Sequence, residues 1–550
     1  MTNESLRIVP LGGLGEIGKN MMVLELPRDL IIIDAGLMFP EEEMLGVDLV
    51  IPDISYVRER RQKLRGIVIT HGHEDHTGAL PYILRDLQAP IYCTRLTRGL
   101  ISVKLKEHKL LGEADLRSVS PGEKIRLGDF QVEFLRVTHS IPDSCGLAIH
   151  TPLGTLVHTG DFKLDHTPVM GEPTDLARLA ELGRDGVLLL LSDSTYAEMP
   201  GYTPSEQVVG ETLDRIMATA PARVIVATFA SLISRVQQVI DAAYRNDRRV
   251  FITGRSMIDN VQMAIEQGYL NAPDGVLTPI EKLGSTRPER AVILATGTQG
   301  EPTSALVRMA NQDHRHVRIS PGDTVVLSAS PIPGNETLIN RTIDNLWRRG
   351  AEVLSSRVAN VHVRGHASQE ELKLILNLVK PSFFVPVHGE YRHLVSHARL
   401  AQATGISHEN TFVLEDGDIL ELTPRAGRVV GRTPAEHVYV DGLAVGVDQV
   451  VLRDRRRLAS DGIIVVILAV DKRSGRLVGQ PDVVARGFAD MEEVDELRDK
   501  ARRHVVRALK GSDHVAEWGD VNTRVKDALA QFIYQETHRR PMVLPLVVEV

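Results

Sequence analysis

"THGHEDHTGAL", residues 70–80, places three histidines and two carboxylates within six positions, from His71 to His76. It follows "GIVIT" (66–70), a short apolar run that is typical of a buried strand. It precedes "GALPYILRDL" (78–87), whose leucine and isoleucine residues recur at helical spacing, so a helix is predicted to begin near Thr77 or Gly78. The sequence therefore predicts that the histidines lie on a strand-to-helix turn, where loops carry functional groups on a rigid scaffold.

Length and composition limit the classes of protein that this chain can form. With 550 residues the chain is too long for one core, so about three domains are expected. The 43% hydrophobic and 25% charged residues are ordinary for a soluble globular protein. The net charge of −8 argues against attraction of nucleic acid to the whole surface, but it leaves room for a local basic channel.

The cysteines and the N-terminus bear on the compartment. Two cysteines, Cys93 and Cys145, exclude a disulfide framework and favour a reducing environment. The first residues contain no basic region followed by an apolar core, so no signal peptide is predicted. No apolar run approaches the roughly 20 residues that a membrane span requires. These features predict a cytoplasmic protein without a membrane partner.

The pattern of apolar segments changes along the chain and indicates several α/β domains. Short apolar strands separated by turns and a few helices run from residue 6 to about 200, which favours an α/β sandwich. Helical segments then alternate with apolar strands, the βαβ rhythm of a parallel sheet. The predicted domains are residues 1–205 with 355–450, an inserted domain at 206–354, a linker at 451–461 and a small C-terminal α/β domain at 462–550.

Gly13, Gly15 and Gly18 match the dinucleotide-binding pattern G-x-G-x-x-G. That pattern must open a helix, because the helix N-terminus holds the pyrophosphate. Here it is followed by "KNMMVLEL" (19–26), an alternating run that is typical of a strand. A glycine-rich hairpin is therefore favoured over a nucleotide site.

The histidine cluster has the residue types that bind divalent metal ions, since imidazole nitrogen and carboxylate oxygen are the ligands that zinc and similar ions accept. His71 and His73 are two positions apart and would point the same way in extended chain, while Asp75 and His76 could reach a second ion. One turn cannot complete two metal sites, so other ligands must come from elsewhere. Polar residues at the ends of other apolar strands are the candidates: His139, Asp161, His388 and Asp34.

The spacing of these motifs resembles a known family. "HGHEDH" (71–76), followed by His139 and Asp161, is similar to the motifs of the metallo-β-lactamase superfamily. Asp193 in "LSDSTY", His366 in "VRGHAS" and His388 in "VPVHGE" resemble the three extra motifs of its β-CASP branch. Within that branch the order and the flanking glycines are most similar to the ribonuclease J group. The resemblance covers essentially the whole chain and implies a metallo-β-lactamase αββα sandwich, an inserted β-CASP α/β domain and a small C-terminal α/β domain.

The resemblance also implies roles for individual residues. Two divalent ions, Zn²⁺ or Mn²⁺ or one of each, would be held by His71, His73, His139 and Asp161 on one side and by Asp75, His76, His388 and the same Asp161 on the other. Asp161, which bridges the ions, and His366 with Asp193 as general acid would be the catalytic residues. Asp34 would orient a ligand histidine. Substrate contacts are implied at Ser231, Arg235, His362, Val363, Arg364, Gly365, His366 and Ser368, although a helix N-cap and a solvated charge are equally open readings of Ser231 and Arg235.

The function implied by the resemblance is hydrolysis of RNA phosphodiester bonds in RNA maturation and decay. The enzyme would degrade single-stranded RNA from 5′-monophosphate ends in the 5′-to-3′ direction and would also cleave internally. The implied assembly is a homodimer or a tetramer formed through the terminal domain, with other RNA-decay proteins as partners. Three alternatives stay open: a β-CASP DNA nuclease, a small-molecule metallo-hydrolase and a metal-bearing scaffold. The large insertion argues against the second, because a small substrate needs no such lid.

Overall fold

The computed structural model describes residues 5–41, 43–332, 334–442, 444–472, 477–487, 491–509 and 518–550. The chain forms two compact units, one made of residues up to Phe39 with Leu49–Val438 and the other of Pro40–Asp48 with Tyr439–Val550. Among the helices of the described ranges, none is long and apolar enough to cross a membrane.

Strands and helices are numbered in chain order. The segment up to residue 193 contains β1 (Leu6–Gly12), β2 (Leu14–Gly15), β3 (Met21–Glu25), β4 (Leu30–Ile33), β5 (Leu49–Ile51), α1 (Ser55–Glu59), β6 (Leu64–Val68), α2 (Glu74–Thr77), α3 (Leu80–Ile83), β7 (Ile91–Thr94), α4 (Arg95–Glu107), β8 (Leu116–Val119), β9 (Lys124–Leu127), β10 (Phe130–Arg136), β11 (Cys145–Thr151), β12 (Gly154–His158), α5 (Leu176–Asp185) and β13 (Val187–Asp193). The following segment contains α6 (Gln207–Thr219), β14 (Val224–Ala227), α7 (Ile233–Arg245), β15 (Arg249–Thr253), α8 (Arg255–Glu266), β16 (Ala291–Ala295), α9 (Ala305–Ala310), β17 (Thr324–Leu327), α10 (Glu336–Arg348) and β18 (Glu352–Ser355). The remainder contains α11 (Gln369–Val379), β19 (Phe383–Val387), β20 (Gly389–Glu390), α12 (Tyr391–Ala403), β21 (Asp418–Leu422), β22 (Gly427–Arg432), β23 (Val438–Asp441), β24 (Ala444–Val445), α13 (Gln449–Asp461), β25 (Ile463–Val470), β26 (Asp482–Arg486), α14 (Met491–Leu509), α15 (Trp518–Thr537) and β27 (Met542–Glu549).

Two sheets pack face to face in the larger unit. Their strand orders are β22-β21-β1-β3-β4-β6-β7-β8 and β19-β13-β12-β11-β10-β9. Because successive side chains of a strand point to opposite faces, Phe134 packs between the sheets while its neighbour Leu135 packs outward against α5 and α11. α12 shares this outer layer through Ala401, and α4 packs on β7 and β8 of the first sheet. The predicted αββα sandwich is thereby confirmed.

The glycine-rich stretch forms the hairpin that the sequence favoured over a nucleotide site. Strand β3 follows Gly18 and pairs antiparallel with β1. Gly12 cannot carry a side chain here, since a Cβ would lie 1.9 Å from the carbonyl oxygen of Lys19. The glycines therefore permit close approach of backbone to backbone and cap no helix.

The insertion is a five-stranded sheet in the order β15-β16-β14-β17-β18, and all its neighbouring strands are parallel. Helices α6, α7 and α8 contribute apolar side chains to the core on one face, and α9 and α10 contribute to the core on the other. Along β14, Val224 and Val226 belong to the first of these cores, and Ile225 and Ala227 to the second. Burial on both faces explains the continuous apolar runs in this part of the sequence.

The smaller unit has a three-stranded sheet in the order β26-β25-β27, with α14 and α15 packed on one face. The predicted linker at 451–461 is instead helical, since it lies inside α13. Asp448 caps this helix by accepting a hydrogen bond from the backbone N–H of Val450 at 2.7 Å. Arg455 donates to the carbonyl oxygens of Leu45 and Gly46, so the arginine run is used to hold a neighbouring loop. Parts of the predicted C-terminal domain, 473–476, 488–490 and 510–517, lie outside the described residues.

Candidate metal centre and active site

The histidine-rich turn follows β6, as the sequence predicts, but the helix begins earlier than expected. α2 starts at Glu74 and includes Asp75 and His76. The predicted start near Thr77 or Gly78 is therefore wrong by three or four residues, and α3 is a separate short helix. Glu74 and Asp75 occupy the first turn, where carboxylates are favoured by the partial positive charge of the helix N-terminus.

His71, His73 and His139 form one group of candidate ligands, named here the first metal pole. Nδ1 of His73 lies 3.0 Å from Nε2 of His71 and 3.2 Å from Nε2 of His139. His139 comes from the segment after β10, so the structure brings it to His73 across a separation of 66 residues in the chain. Three imidazole nitrogens thus converge on one point.

Asp75, His76 and His388 form the second metal pole. The Nε2 atoms of His76 and His388 lie 3.5 and 3.4 Å from Oδ2 of Asp75. His388 follows β19 with a φ of 57°, in the left-handed region that a residue other than glycine seldom adopts. This turn directs its ring back toward the centre.

Asp161 lies between the two poles. Its Oδ2 is 3.2 Å from Nε2 of His76 and 3.3 Å from Nε2 of His388. The same oxygen is 3.7 and 3.9 Å from the Nε2 atoms of His71 and His139 in the first pole. A single carboxylate is therefore placed to bind ions at both poles.

Hydrogen bonds on the far side of the rings select the tautomers that metal binding needs. Nδ1 of His76 donates to Asp34 at 2.7 Å, and Nδ1 of His139 donates to the carbonyl oxygen of Gly365 at 2.7 Å. Nδ1 of His388 faces the Thr195 hydroxyl at 2.8 Å, and that hydroxyl in turn donates to Asp193. Each bond places a proton on Nδ1 and leaves the lone pair of Nε2 directed at Asp161, the arrangement usual for metal-binding histidines.

The charges of the site also fit divalent cations. Burial opposes ionisation of Asp161 and Asp75, but the neighbouring histidines outweigh it and hold the pKa of both carboxyl groups well below the usual value. Burial lowers the pKa of His71 well below its usual value and that of His73 to about 4, so these rings are neutral donors. Burial disfavours the charged forms of His76 and His388, but the carboxylates, Asp161 first, outweigh it and raise the pKa of His388 to about 9 and that of His76 well above its usual value. The centre thus attracts positive charge, which bound metal ions would supply in place of these ring protons.

His366 and Asp193 form a pair beside the two poles. Nδ1 of His366 lies 2.7 Å from Oδ2 of Asp193, whose other oxygen accepts hydrogen bonds from the N–H and the hydroxyl of Thr195. Burial disfavours the charged form of His366, but the Asp193 carboxylate outweighs this and raises its pKa. A protonated imidazole close to the metal poles is suited to donating a proton to a leaving group.

The loop that contains His366 includes several of the predicted substrate contacts. Gly365 is packed so closely against His139 that a Cβ would lie 2.7 Å from Cε1 of that ring. Arg364 is exposed, and its guanidinium carbon lies 4.7 Å from the centre of the Tyr196 ring. Val363 is buried in the core of the insertion, and Nδ1 of His362 is buried without a hydrogen-bond partner in the described structure.

Arg235 and Ser231 lie where the chain enters α7. The Arg235 side chain is fully buried, and its guanidinium donates to Glu206, Ser328, Gln238 and the carbonyl oxygen of Val361. A direct contact of Arg235 with a substrate would require this network to open, and the solvated-charge reading of Arg235 is also wrong. Ser231 does not cap α7, because the residue at the N-cap is Leu232.

Ser368 is the N-cap residue of α11. Its backbone N–H donates to Glu371 at 2.8 Å, and its hydroxyl lies 2.9 Å from that of Thr203. The N–H groups of Gln369 and Glu370 donate to carbonyl oxygens of Met199 and Gly201. The first amides of this helix are thus already paired within the protein, and Ser368 itself is only 4% exposed, so its contact with a substrate phosphate stays a prediction.

The structure adds residues that sequence reasoning missed. Nδ2 of Asn20 lies 3.0 Å from the carbonyl oxygen of Asp75 and 3.2 Å from Nε2 of His76. His158 lines the same cavity, where its Nδ1 accepts a hydrogen bond from the N–H of Gly160. Asn20 lies two residues after Gly18, the last glycine of the hairpin. A polar residue at the end of this closely packed loop was the sequence feature that could have indicated a role in the site.

Comparisons with known proteins agree with this architecture. A family model described as metallo-beta-lactamase superfamily matches residues 14–205, and one described as ribonuclease J, beta-CASP domain, matches 221–346. Models for a Zn-dependent metallo-hydrolase RNA specificity domain and for the ribonuclease J C-terminal domain match 352–413 and 450–550. A crystal structure of a protein of unknown function from Enterococcus faecalis V583 aligns with a TM-score of 0.54 and 16% identity, over 76% of this chain and 100% of that one, which shows a shared fold.

Full-length relatives are considerably more similar. Ribonuclease J2 of Bacillus subtilis is 42% identical over 100% of this chain and 99% of its own length. Ribonuclease J 1 of Streptococcus pyogenes is 43% identical over 100% of this chain and 99% of its own length. Ribonuclease J of Thermus thermophilus is 45% identical over 99% of this chain and 96% of its own length. The chain therefore belongs to the ribonuclease J family of the metallo-β-lactamase superfamily.

Proposed function

We propose that this chain is a two-metal ribonuclease that degrades single-stranded RNA from 5′-monophosphate ends, in the 5′-to-3′ direction, and also cleaves RNA internally. The observation that carries the proposal is the position of Asp161 between two groups of ligands, with the His366–Asp193 pair beside them. Two ions about 3.5–4 Å apart suit displacement at a phosphodiester. RNA as the substrate follows from the names of the relatives and from the match to an RNA specificity domain.

The residues divide the chemistry among them. The first pole with Asp161 would hold one ion and the second pole with Asp161 the other, with Zn²⁺ and Mn²⁺ both compatible with nitrogen and carboxylate donors. When bound, such ions activate a water molecule and neutralise charge that develops on the phosphate. His366 donates a proton from Nε2 to the leaving oxygen, and Asp193 holds the ring by its Nδ1 hydrogen bond.

Selection of a 5′ end is proposed to involve the loop from His362 to Ser368. The Ser368 hydroxyl lies at the start of α11, on the same loop as His366. Losing one hydrogen bond to a charged group costs about 1.5–3 kcal/mol, or at least tenfold in affinity. Ser368→Ala should therefore impair degradation of 5′-monophosphate RNA by about tenfold or more and leave cleavage of circular RNA largely unchanged.

The Ser368 measurement compares 5′-monophosphate, 5′-triphosphate and circular RNA for wild type and variant. Loss of the N-cap could weaken α11 by about 1 kcal/mol, so thermal unfolding is measured in parallel. Equal losses on all three substrates would show that Ser368 supports the loop and reads no end group.

The general experiment supplies one purified sample with labelled RNA, labelled DNA of the same sequence and a chromogenic thioester. Hydrolysis of RNA in preference to the other two is expected. Preference for DNA would favour a β-CASP DNA nuclease, and preference for the thioester a small-molecule hydrolase. No hydrolysis of any substrate at saturating Mn²⁺ or Zn²⁺ would favour a scaffold role.

We also propose a homodimer formed through the C-terminal sheet. The face of this sheet that does not carry α14 and α15 exposes a continuous row of apolar side chains, with Leu544 42%, Leu546 44% and Val548 49% exposed. Their register partners on β25 are Val465, Ile467 and Ala469. A patch of this kind commonly marks an interface, and a second copy offers the same apolar face to cover it.

Leu546→Lys should convert the dimer to a monomer by placing charge in the centre of this face. Sedimentation measures the change, and Val358→Lys, at a 69% exposed valine of the other unit, serves as the control. If the Leu546→Lys variant sediments like the wild type, the dimer interface does not lie on this face of the sheet.

A further inference from the structure

The segment that supplies His139 to the first pole is held by the insertion as well as by the sandwich. This segment, His139–Asp143, is named here the ligand loop, and it connects β10 to β11 of the sandwich. The Ser140 carbonyl oxygen accepts a hydrogen bond of 3.0 Å from the hydroxyl of Ser234 in α7. Ile141 is 1% exposed and belongs to an apolar core that α6, α7 and α8 of the insertion share with Leu96 and Leu100 of α4. Two successive residues after His139 are therefore anchored in the inserted domain.

Asp143 ends the ligand loop and joins it to both domains. Its Oδ2 accepts a hydrogen bond of 2.7 Å from the hydroxyl of Tyr269, which follows α8 in the insertion. The same oxygen accepts from the N–H of Leu96 in α4 of the sandwich at 3.1 Å. Asp143 has a φ of 66°, so it occupies a left-handed conformation in which its partners must hold it.

The second pole has no equivalent dependence among its described contacts. His76 is held by Asp34 and His388 by Thr195, and all four residues belong to the sandwich. Asp75 is contacted by Asn20, also from the sandwich. A disturbance of the inserted domain would thus reach His139 first and reach the second pole only indirectly.

We propose that Ser234 and Tyr269 of the insertion are positioning residues for the first metal pole, so that the inserted domain controls the affinity of one ion and leaves the other largely unaffected. This inference rests on the proposed two-metal function. Loss of the Tyr269 hydroxyl would remove the hydrogen bond from the insertion to Asp143 and leave those from Leu96 and Thr94, and loss of the Ser234 hydroxyl would remove the hydrogen bond to the Ser140 carbonyl oxygen. His139 would then keep its donor atom but lose its fixed position. Partners that orient a ligand in this way change metal affinity by about 10–100-fold.

The test combines Ser234→Ala and Tyr269→Phe in the full-length chain and measures metal content and dissociation constants by mass spectrometry and calorimetry. Tyr244→Phe, at a 57% exposed tyrosine of α7, is the matched control. In the double variant, the dissociation constant of the ion at the first pole should rise about tenfold. Affinity for the second ion should stay unchanged, as should the melting temperature when it is measured at saturating metal. Excess metal should restore the cleavage rate.

The outcomes separate this inference from the proposed function. A wild-type chain that binds fewer than two ions would contradict the two-metal function itself. A wild-type chain with two ions and a double variant that binds both equally well would overturn the positioning role alone. Parallel weakening of both ions with a lower melting temperature would also overturn it, because it would indicate a general loss of structure.

Discussion

The two metal poles are built from similar residues but are supported by different parts of the molecule. The second pole is buttressed inside the sandwich, where Asp34 holds His76 and Thr195 holds His388. The first pole takes His139 from a loop that is anchored in the insertion. The candidate metal centre thus depends on hydrogen bonds within the sandwich at the second pole and on hydrogen bonds from the insertion at the first.

The poles also differ in their donor atoms. The first offers three imidazole nitrogens, and the second offers two imidazoles with the carboxylate of Asp75, while Oδ2 of Asp161 lies within 4 Å of histidine rings of both. Carboxylate oxygen favours harder ions such as Mn²⁺, and imidazole suits Zn²⁺. We therefore expect the two poles to differ in metal preference as well as in support.

The largest effect is expected from Asp161→Ala, which removes the one carboxylate that the poles share. Metal binding should fall at both poles and cleavage should drop by well over 100-fold, since even a partner of a ligand is worth about 10–100-fold. Metal analysis and an RNA cleavage assay check this, with the exposed Asp185→Ala as control. Retention of one full ion would assign Asp161 to a single pole.

His366→Ala should lower the cleavage rate by about 10²–10⁴-fold, the contribution of a general acid, while both ions stay bound. The reason is that its Nδ1 is taken by Asp193 and the ring belongs to neither pole. Single-turnover rates at saturating metal, with metal content measured on the same sample, provide the comparison. Loss of an ion in this variant would indicate that His366 is a metal ligand and would contradict its role as general acid.

Asp34→Asn is expected to weaken metal binding unequally. Asp34 contacts His76 directly but reaches His71 only through the hydroxyl of Thr70. Affinity at the second pole should fall by about 10–100-fold and affinity at the first by less. Asn is chosen because it tolerates the φ of 61° at this position. Calorimetric titration with Mn²⁺ measures both constants, and a larger loss at the first pole would reverse the expected order.

The smallest effect is expected from Asn20→Ala. Its amide contributes one hydrogen bond to the Asp75 carbonyl oxygen, and a net loss of about 0.5–1.5 kcal/mol corresponds to about 2–10-fold in affinity at the second pole. Asn377→Ala, which removes an exposed amide from α11, is the control. If metal binding weakened only at the first pole, the predicted contribution of Asn20 to the second pole would be contradicted.

Much of the fold could be predicted because its signals are local. Continuous apolar runs alternating with helical segments indicated the parallel sheet of the insertion, and both of its faces are indeed buried. Family membership was also readable, since "HGHEDH" and the motifs around Asp193, His366 and His388 have distinctive spacing. The helix start predicted near Thr77 or Gly78 was wrong, because long-range partners as well as the local pattern decide where a helix begins. Residues 451–461, predicted as a linker, lie within α13.

The sequence by itself determined the residue types of the metal centre, because adjacent ligands on one turn share their geometry whatever the rest of the chain does. Only the tertiary structure decided which distant residues complete it. Asp75 and His388 are 313 positions apart and meet only after the sandwich closes. Burial of Arg235 and anchoring of the ligand loop by Tyr269 likewise depend on how two domains pack. Such contacts are fixed by the shape and charge of surfaces that exist only in the folded chain, and no spacing along the chain encodes them.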